Sequence, residues 1–342
     1  MSDKNVGEVI EGTAGVDALS ADFDLDAALK RSLRGDPSKI ATHLICLKRD
    51  IPVGKTKTIL HCYFLPVDGN GRVRMKPLAE FLRDQIIAYA IPRKTIEEAF
   101  QQTADNPGSM AAISSLHERA KQLFTHLANS GEGGEILLFA MAEMIFRITQ
   151  IICKMTLKTS TSMHYHGSDG VYAEARPDGG LNLFWGESKI YGDAKAAIRN
   201  CLESLAPFLR DPEGEDAERK QDILLINEFA NFSDERLVAG LKRFLDKDDK
   251  ASLSLRHCGF ALAGFDCGSY PQGNAETTAD ALAIEVSKEI DGWLQTTSAG
   301  VVKEELQTFD IHFICVPLPS ASEFRSYFLK LMGVQEVDGG SK

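Results

Sequence analysis

Hydrophobic and polar positions alternate in two rhythms along this chain. β-Branched and aromatic residues crowd positions 40–47 and 58–67, predicting two strands separated by a turn at Pro52-Val53-Gly54. Helical spacing takes over across 75–91, 95–102 and 108–129, with Pro92 and Asn106-Pro107 supplying the breaks. Ser130-Gly131-Glu132-Gly133-Gly134 predicts a flexible joint. Residues 135–153 are apolar almost all round, as in a helix buried on every face. Two extended runs, 171–175 and 181–190, flank Pro177-Asp178-Gly179-Gly180, whose turn chemistry predicts a hairpin. Ala194, Ala197, Ile198, Cys201, Leu202 and Leu205 then keep one helical face, opened by Asp193 and ended by Pro207. That helix is expected to pack on the hairpin's sheet. Strands at 253–265 and 309–316, with a helix at 280–294 between them and a closing helix at 323–332, complete the pattern.

The pattern predicts an α/β (α+β) chain in four parts. Residues 1–38 are acidic, with Asp17, Asp22, Asp24 and Asp26 close together, and are expected to be largely flexible apart from a short helix at 27–33. An N-terminal α/β region covers 39–130, a core 131–333, and a flexible tail 334–342. Composition adds the expectation of a soluble cytoplasmic protein: 44% hydrophobic and 25% charged residues, no apolar run of the ~20 residues a membrane helix needs, and no apolar leader. Seven scattered cysteines without a C-x-x-C pair read as reduced core residues, not zinc ligands. Gly54-Lys55-Thr56 invites a phosphate-loop reading, but that loop needs glycine where Arg49 stands, so the stretch reads as a turn.

Charge narrows the function. The net charge of −11 is unsuited to an autonomous nucleic-acid binder. Between residues 147 and 199, however, seven basic side chains stand against five acidic ones. The hairpin lies inside this stretch, and its closure would lay Asp169 beside Glu187 and Lys189, which share a strand face while Ser188 points the opposite way. Two carboxylates and an ammonium at one end of an apolar hairpin, beside Phe184 and Trp185, need an ion or each other. A divalent-metal site and a structural salt bridge both meet that need. Glu135, in the first turn of the expected core helix, reads either as a dipole-favouring acid or as a residue at the margin of the site. His164 and His166 flank Tyr165 just ahead of Asp169; surface or structural roles suit them better than metal ligation.

The wording around these residues adds a resemblance. H-G-S-D-G-V-Y at 166–172, then L-x-x-G-E-S-K-x-Y at 183–191, resembles the PD-(D/E)xK nuclease superfamily, and more closely the HamA family of nuclease subunits from the Hachiman anti-phage defence system. The superfamily's proline is absent; Ser168 precedes Asp169. The resemblance spans roughly residues 39–333 and implies a restriction-endonuclease-like core. It further implies a DNase using Mg²⁺ (or Mn²⁺), with Asp169 and Glu187 as ligands, Glu135 as a third and Glu143 as the fallback, and the backbone carbonyl of Ser188 close enough to ligate. Lys189 would position or help deprotonate water, or offset transition-state charge. The implied partners are DNA and a superfamily 2 helicase of the HamB type, docked on residues 39–130 and holding the nuclease in check. A degenerate nuclease fold serving as a regulatory subunit, and a restriction or repair nuclease, are the alternatives.

Overall fold

The computed structural model describes residues 23–125, 132–156, 167–210, 218–229, 232–271 and 276–334. Among these, seven strands hydrogen-bond into one mixed sheet: β1 (Ile45–Pro52), β2 (Thr58–Phe64), β3 (Thr149–Gln150), β4 (Gly170–Ala175), β5 (Leu181–Tyr191), β6 (Leu255–Asp266) and β7 (Ile311–Leu318). Their order is β1-β2-β7-β6-β5-β4-β3. The three central pairings, β2 with β7, β7 with β6 and β6 with β5, are parallel; the outer ones are antiparallel. β6 and β7 are apolar nearly throughout, as strands covered on both faces must be. The expected α/β class is therefore what the chain adopts. Strands β1 and β2, from ahead of residue 130, belong to the same sheet as the hairpin, and Glu132-Gly133-Gly134, expected in a flexible joint, instead open the helix Glu132–Ala140.

The hairpin forms where the turn residues place it, with Gly170 opposite Gly186 and Ala175 opposite Leu181. Alternation along β5 sends neighbouring side chains to opposite layers. On one face Gly186 and Ser188 meet the helix Glu132–Ala140: a Cβ on Gly186 would lie 3.1 Å from Leu138 Cδ2, and one on Gly134 3.1 Å from Ser188 Oγ. On the other face Trp185 stacks on Phe208 of helix Ala194–Leu209, ring centroids 5.7 Å apart. Asp193 caps that helix by accepting from Ala196 N–H at 2.7 Å, and the predicted face, Ala197 to Leu205, is buried.

Several boundaries differ from expectation. The apolar run 135–153 is not one helix. The α-helix Glu132–Ala140 widens into a π-helical turn, Met141–Phe146, stops at Arg147 with φ 60°, and the chain becomes β3. A run that is buried on every side carries no periodicity, so strand and helix look alike in sequence. Pro207 lies inside its helix, which continues to Leu209, because a proline in the last turn removes a single hydrogen bond. The first strand starts at Ile45, since Asp36 caps a short helix, Pro37–Ile40, in the preceding residues. The helix expected at 75–91 divides at Gln85 into Met75–Asp84 and Ile86–Ala90. The Asp24-capped helix Leu25–Arg31 answers to the short N-terminal one. His164, His166, residues 1–22 and 335–342, and the end of the helix predicted to 129 lie outside the described residues. All seven cysteines are free thiols. Among the described residues no helix is long and apolar enough to cross a membrane.

Candidate active site

At the open end of the hairpin the Asp169 N–H donates to Gly186 O at 2.9 Å, extending the β4–β5 ladder by one step. Asp169 Oδ2 in turn accepts from the Ser188 N–H and hydroxyl, both at 2.8 Å. One residue either side of Ser188, Lys189 Nζ donates to Glu187 Oε1 at 2.5 Å. Glu187 and Lys189 share Trp185's face of the sheet, the side covered by helix Ala194–Leu209, whose Cys201 Sγ reaches the Glu187 carbonyl at 3.3 Å. The Glu187 side chain is 6% exposed and that of Lys189 23%, so the ammonium closes the pocket toward solvent. Burial, then the adjacent Asp169 charge, push the Glu187 carboxyl up to about 8 despite Lys189. Burial acts to lower the Lys189 pKa, but the Glu187 and Asp169 charges outweigh it and hold the ammonium above its ordinary value.

Asp169, Glu187, Lys189 and Ser188 are thus brought together as the sequence predicts. Glu135 is buried nearby, and its charge contributes to the shift at Glu187. It approaches from the other layer, however, on helix Glu132–Ala140, and accepts from the Tyr89 hydroxyl at 2.6 Å. Glu143, the fallback, is elsewhere engaged: it accepts from the Arg34 N–H at 2.6 Å, Arg93 Nη2 at 3.1 Å and the Gln150 N–H at 3.0 Å. Its role is to tie the π-helical turn to β3. Among the described residues no group of three His, Cys, Asp or Glu side chains is placed to hold a metal ion. Glu135 and Glu187 approach from the two different helix layers, Glu132–Ala140 and the side covered by Ala194–Leu209.

The donor set nevertheless fits a hard divalent cation in kind. Two carboxylates, buried Glu187 and half-buried Asp169, against one ammonium leave excess negative charge, and carboxylate oxygens are the ligands Mg²⁺ and Mn²⁺ favour. A second polar gap lies across the sheet. The Tyr172 hydroxyl is buried without a hydrogen-bond partner, and burial followed by the Glu143, Asp169 and Glu135 charges holds its pKa well above the ordinary value. Its ring lies over the Gly170–Gly186 pair, 2.8 Å from where a Cβ on Gly186 would sit. Sequence reading missed Tyr89 and Tyr172, because a tyrosine in an apolar run carries no mark of its neighbours. A cavity of about 1030 Å³ opens at the turn end of the hairpin, beside Arg147, Arg176, Gly179 and Phe244, and none of the residues above lines it.

Fold and site together define a mixed α/β protein with a partly buried carboxylate–ammonium cluster at the open end of a sheet hairpin. No curated protein and no solved structure matches the chain. The HamA family model does, over residues 41–332, and the chain belongs to that family. It is a Hachiman defence-associated protein.

Proposed function

We propose that this chain is the nuclease effector of its defence system: a metal-dependent deoxyribonuclease, held in check by a superfamily 2 helicase of the HamB type and released when that partner engages DNA. The observation that carries the reading is the meeting of Asp169, Glu187 and Lys189 at one strand end, with Glu187 buried and too strongly perturbed for a mere surface pair. In this reading Asp169, Glu187 and the Ser188 carbonyl hold Mg²⁺ or Mn²⁺, with Glu135 reaching it from the other layer. The ion supplies charge neutralisation and an acidified water. Ser188 fixes the Asp169 carboxylate through two hydrogen bonds. Lys189, the more exposed partner, faces incoming phosphate, where its ammonium offsets developing charge. Residues 39–130 serve as the helicase's docking surface.

The direct Glu187–Lys189 contact favours a second reading, a silent nuclease fold used as a regulatory subunit. A plasmid-nicking assay separates the two. The chain, helicase, ATP and supercoiled DNA are mixed and each is omitted in turn, with Mg²⁺, Mn²⁺, Ca²⁺ or EDTA. Cleavage with Mg²⁺ or Mn²⁺, little with Ca²⁺ and none with EDTA is expected, because Ca²⁺ does not impose the same octahedral order on water and phosphate. Activity that survives EDTA would sink the metal reading. No cleavage in any mixture that contains the helicase bound to this chain would favour the regulatory subunit.

A further inference from the structure

Directly ahead of Asp169 lies a buried polar cluster that the site as described does not use. Lys154 is 4% exposed, Ser168 2% and Asp222 0%. Lys154 Nζ donates to the Ser168 carbonyl at 2.8 Å, to Ser168 Oγ at 2.8 Å and to Asp222 Oδ2 at 2.5 Å. The same Asp222 oxygen accepts from Ser168 Oγ at 2.9 Å and from the Ser168 N–H at 3.4 Å. Ser168 is therefore gripped at its amide, its carbonyl and its hydroxyl at once. Asp222 reaches it from helix Glu218–Phe229, 54 residues along the chain.

We propose that Asp222 is a positioning residue: with Lys154 it clamps Ser168 and so fixes the direction in which Asp169, the next residue, presents its carboxylate. The inference rests on the nuclease reading above and names a device that serves it. A buried ion pair contributes little net stability, because desolvation offsets the attraction; what distinguishes this one is that both its charges close on the residue next to Asp169. The hydrogen bonds run on without a break from Asp222 to Ser168, and after the Ser168–Asp169 peptide from Asp169 to Ser188. Asp169 is thus held from both sides, by Ser168 covalently and by Ser188 through hydrogen bonds. Groups that orient metal ligands from behind typically change metal affinity by about 10–100-fold when removed. A ligand displaced by even a fraction of an ångström loses much of its effect.

The test uses the full chain and Mn²⁺ as the probe. Ser168→Ala deletes the gripped hydroxyl and keeps the Lys154–Asp222 pair. The double variant Lys154→Met with Asp222→Asn removes both charges of the pair together. Mn²⁺ binding to the metal-free chain is followed by calorimetry. Cleavage is followed against Mg²⁺ concentration with the helicase, ATP and DNA present. The clamp predicts that both variants keep a cooperative thermal transition yet bind Mn²⁺ at least about tenfold more weakly than the wild type. The Mg²⁺ needed for half-maximal cleavage rises to match, while the rate at saturating Mg²⁺ stays within about threefold, since the groups that act on DNA are intact. A merely structural cluster would lower the melting temperature and leave Mn²⁺ affinity unchanged. Folded variants that bind Mn²⁺ as the wild type does overturn the clamp and leave the nuclease reading standing. A wild-type chain that neither binds Mn²⁺ nor supports cleavage overturns both.

Discussion

Glu187 has neighbours of opposite effect: Asp169 and, less strongly, Glu135 repel its charge, and Lys189 stabilises it. Glu187→Ala removes a carboxylate that burial disfavours, so this variant is expected to melt no lower than the wild type while losing cleavage by at least about a thousandfold. Lys189→Ala loses cleavage too, but strands Glu187 without its partner and should melt lower; calorimetry beside the nicking assay reads both quantities. Glu143 makes the contrast. It sits fully buried against Arg34 and Arg93, so Glu143→Gln is expected to cost about 3–5 kcal/mol of stability, measured by urea titration, with no change in metal dependence. A metal requirement altered in a folded Glu143→Gln protein would overturn its assignment to the fold. These residues also mark how far the sequence could be read. Asp169, Glu187 and Lys189 were legible because strand alternation and one turn place all three locally. The company kept by Glu135, Glu143 and Ser168 was not, since Tyr89, Arg93 and Asp222 arrive from distant elements on which no periodicity bears.

At the scale of elements, the hairpin and the helix behind it were readable from Pro177-Asp178-Gly179-Gly180 and Asp193, while the partners of β5 were not, because strand order across parallel connections leaves no local trace. The same parallel layer holds a feature with a measurable consequence. His61 on β2 and His312 on β7 meet through Nε2 and Nδ1 at 3.0 Å, and the Asp50 N–H donates to His61 Nδ1 at 3.3 Å, so His61 is neutral with its proton on Nε2. Burial, then His312 and Arg49, lower the His61 pKa from 6.5 to about 3. The sign follows directly. Below pH 6.5 the unfolded chain binds a proton that the folded chain refuses until about pH 3, so stability falls as pH falls through that window. The loss approaches about 1.4 kcal/mol per pH unit. His61→Phe should flatten the decline between about pH 7 and pH 5 by up to about 2 kcal/mol in urea titrations. An unchanged slope in that variant would mean that His61 titrates normally.

For the whole molecule, the charge of −11 opposes DNA while the stretch around the hairpin is locally basic. The chain alone should therefore bind DNA weakly and lose that binding steeply with salt, whereas the chain with the proposed helicase should bind far more tightly at low salt. Fluorescence anisotropy with labelled duplex, from about 50 to about 200 mM salt, reads both. Equal affinity with and without the helicase would count against a partner that delivers the nuclease to its substrate.

The sheet's connectivity also sets a timetable. β5 carries Glu187 and Lys189, yet one of its two flanks is β6, which begins only at Leu255, and β6 leans in turn on β7, which ends at Leu318. β2, made long before, waits for that same β7. A nascent chain that has emerged as far as the hairpin holds its three site residues on a ribbon that lacks β6 along one edge and helix Ala194–Leu209 over the face of Glu187. At ~5–20 residues per second, ribosomal synthesis needs on the order of ten seconds more to deliver β7. On the nuclease reading proposed above, that interval delays a working site until the sheet is complete.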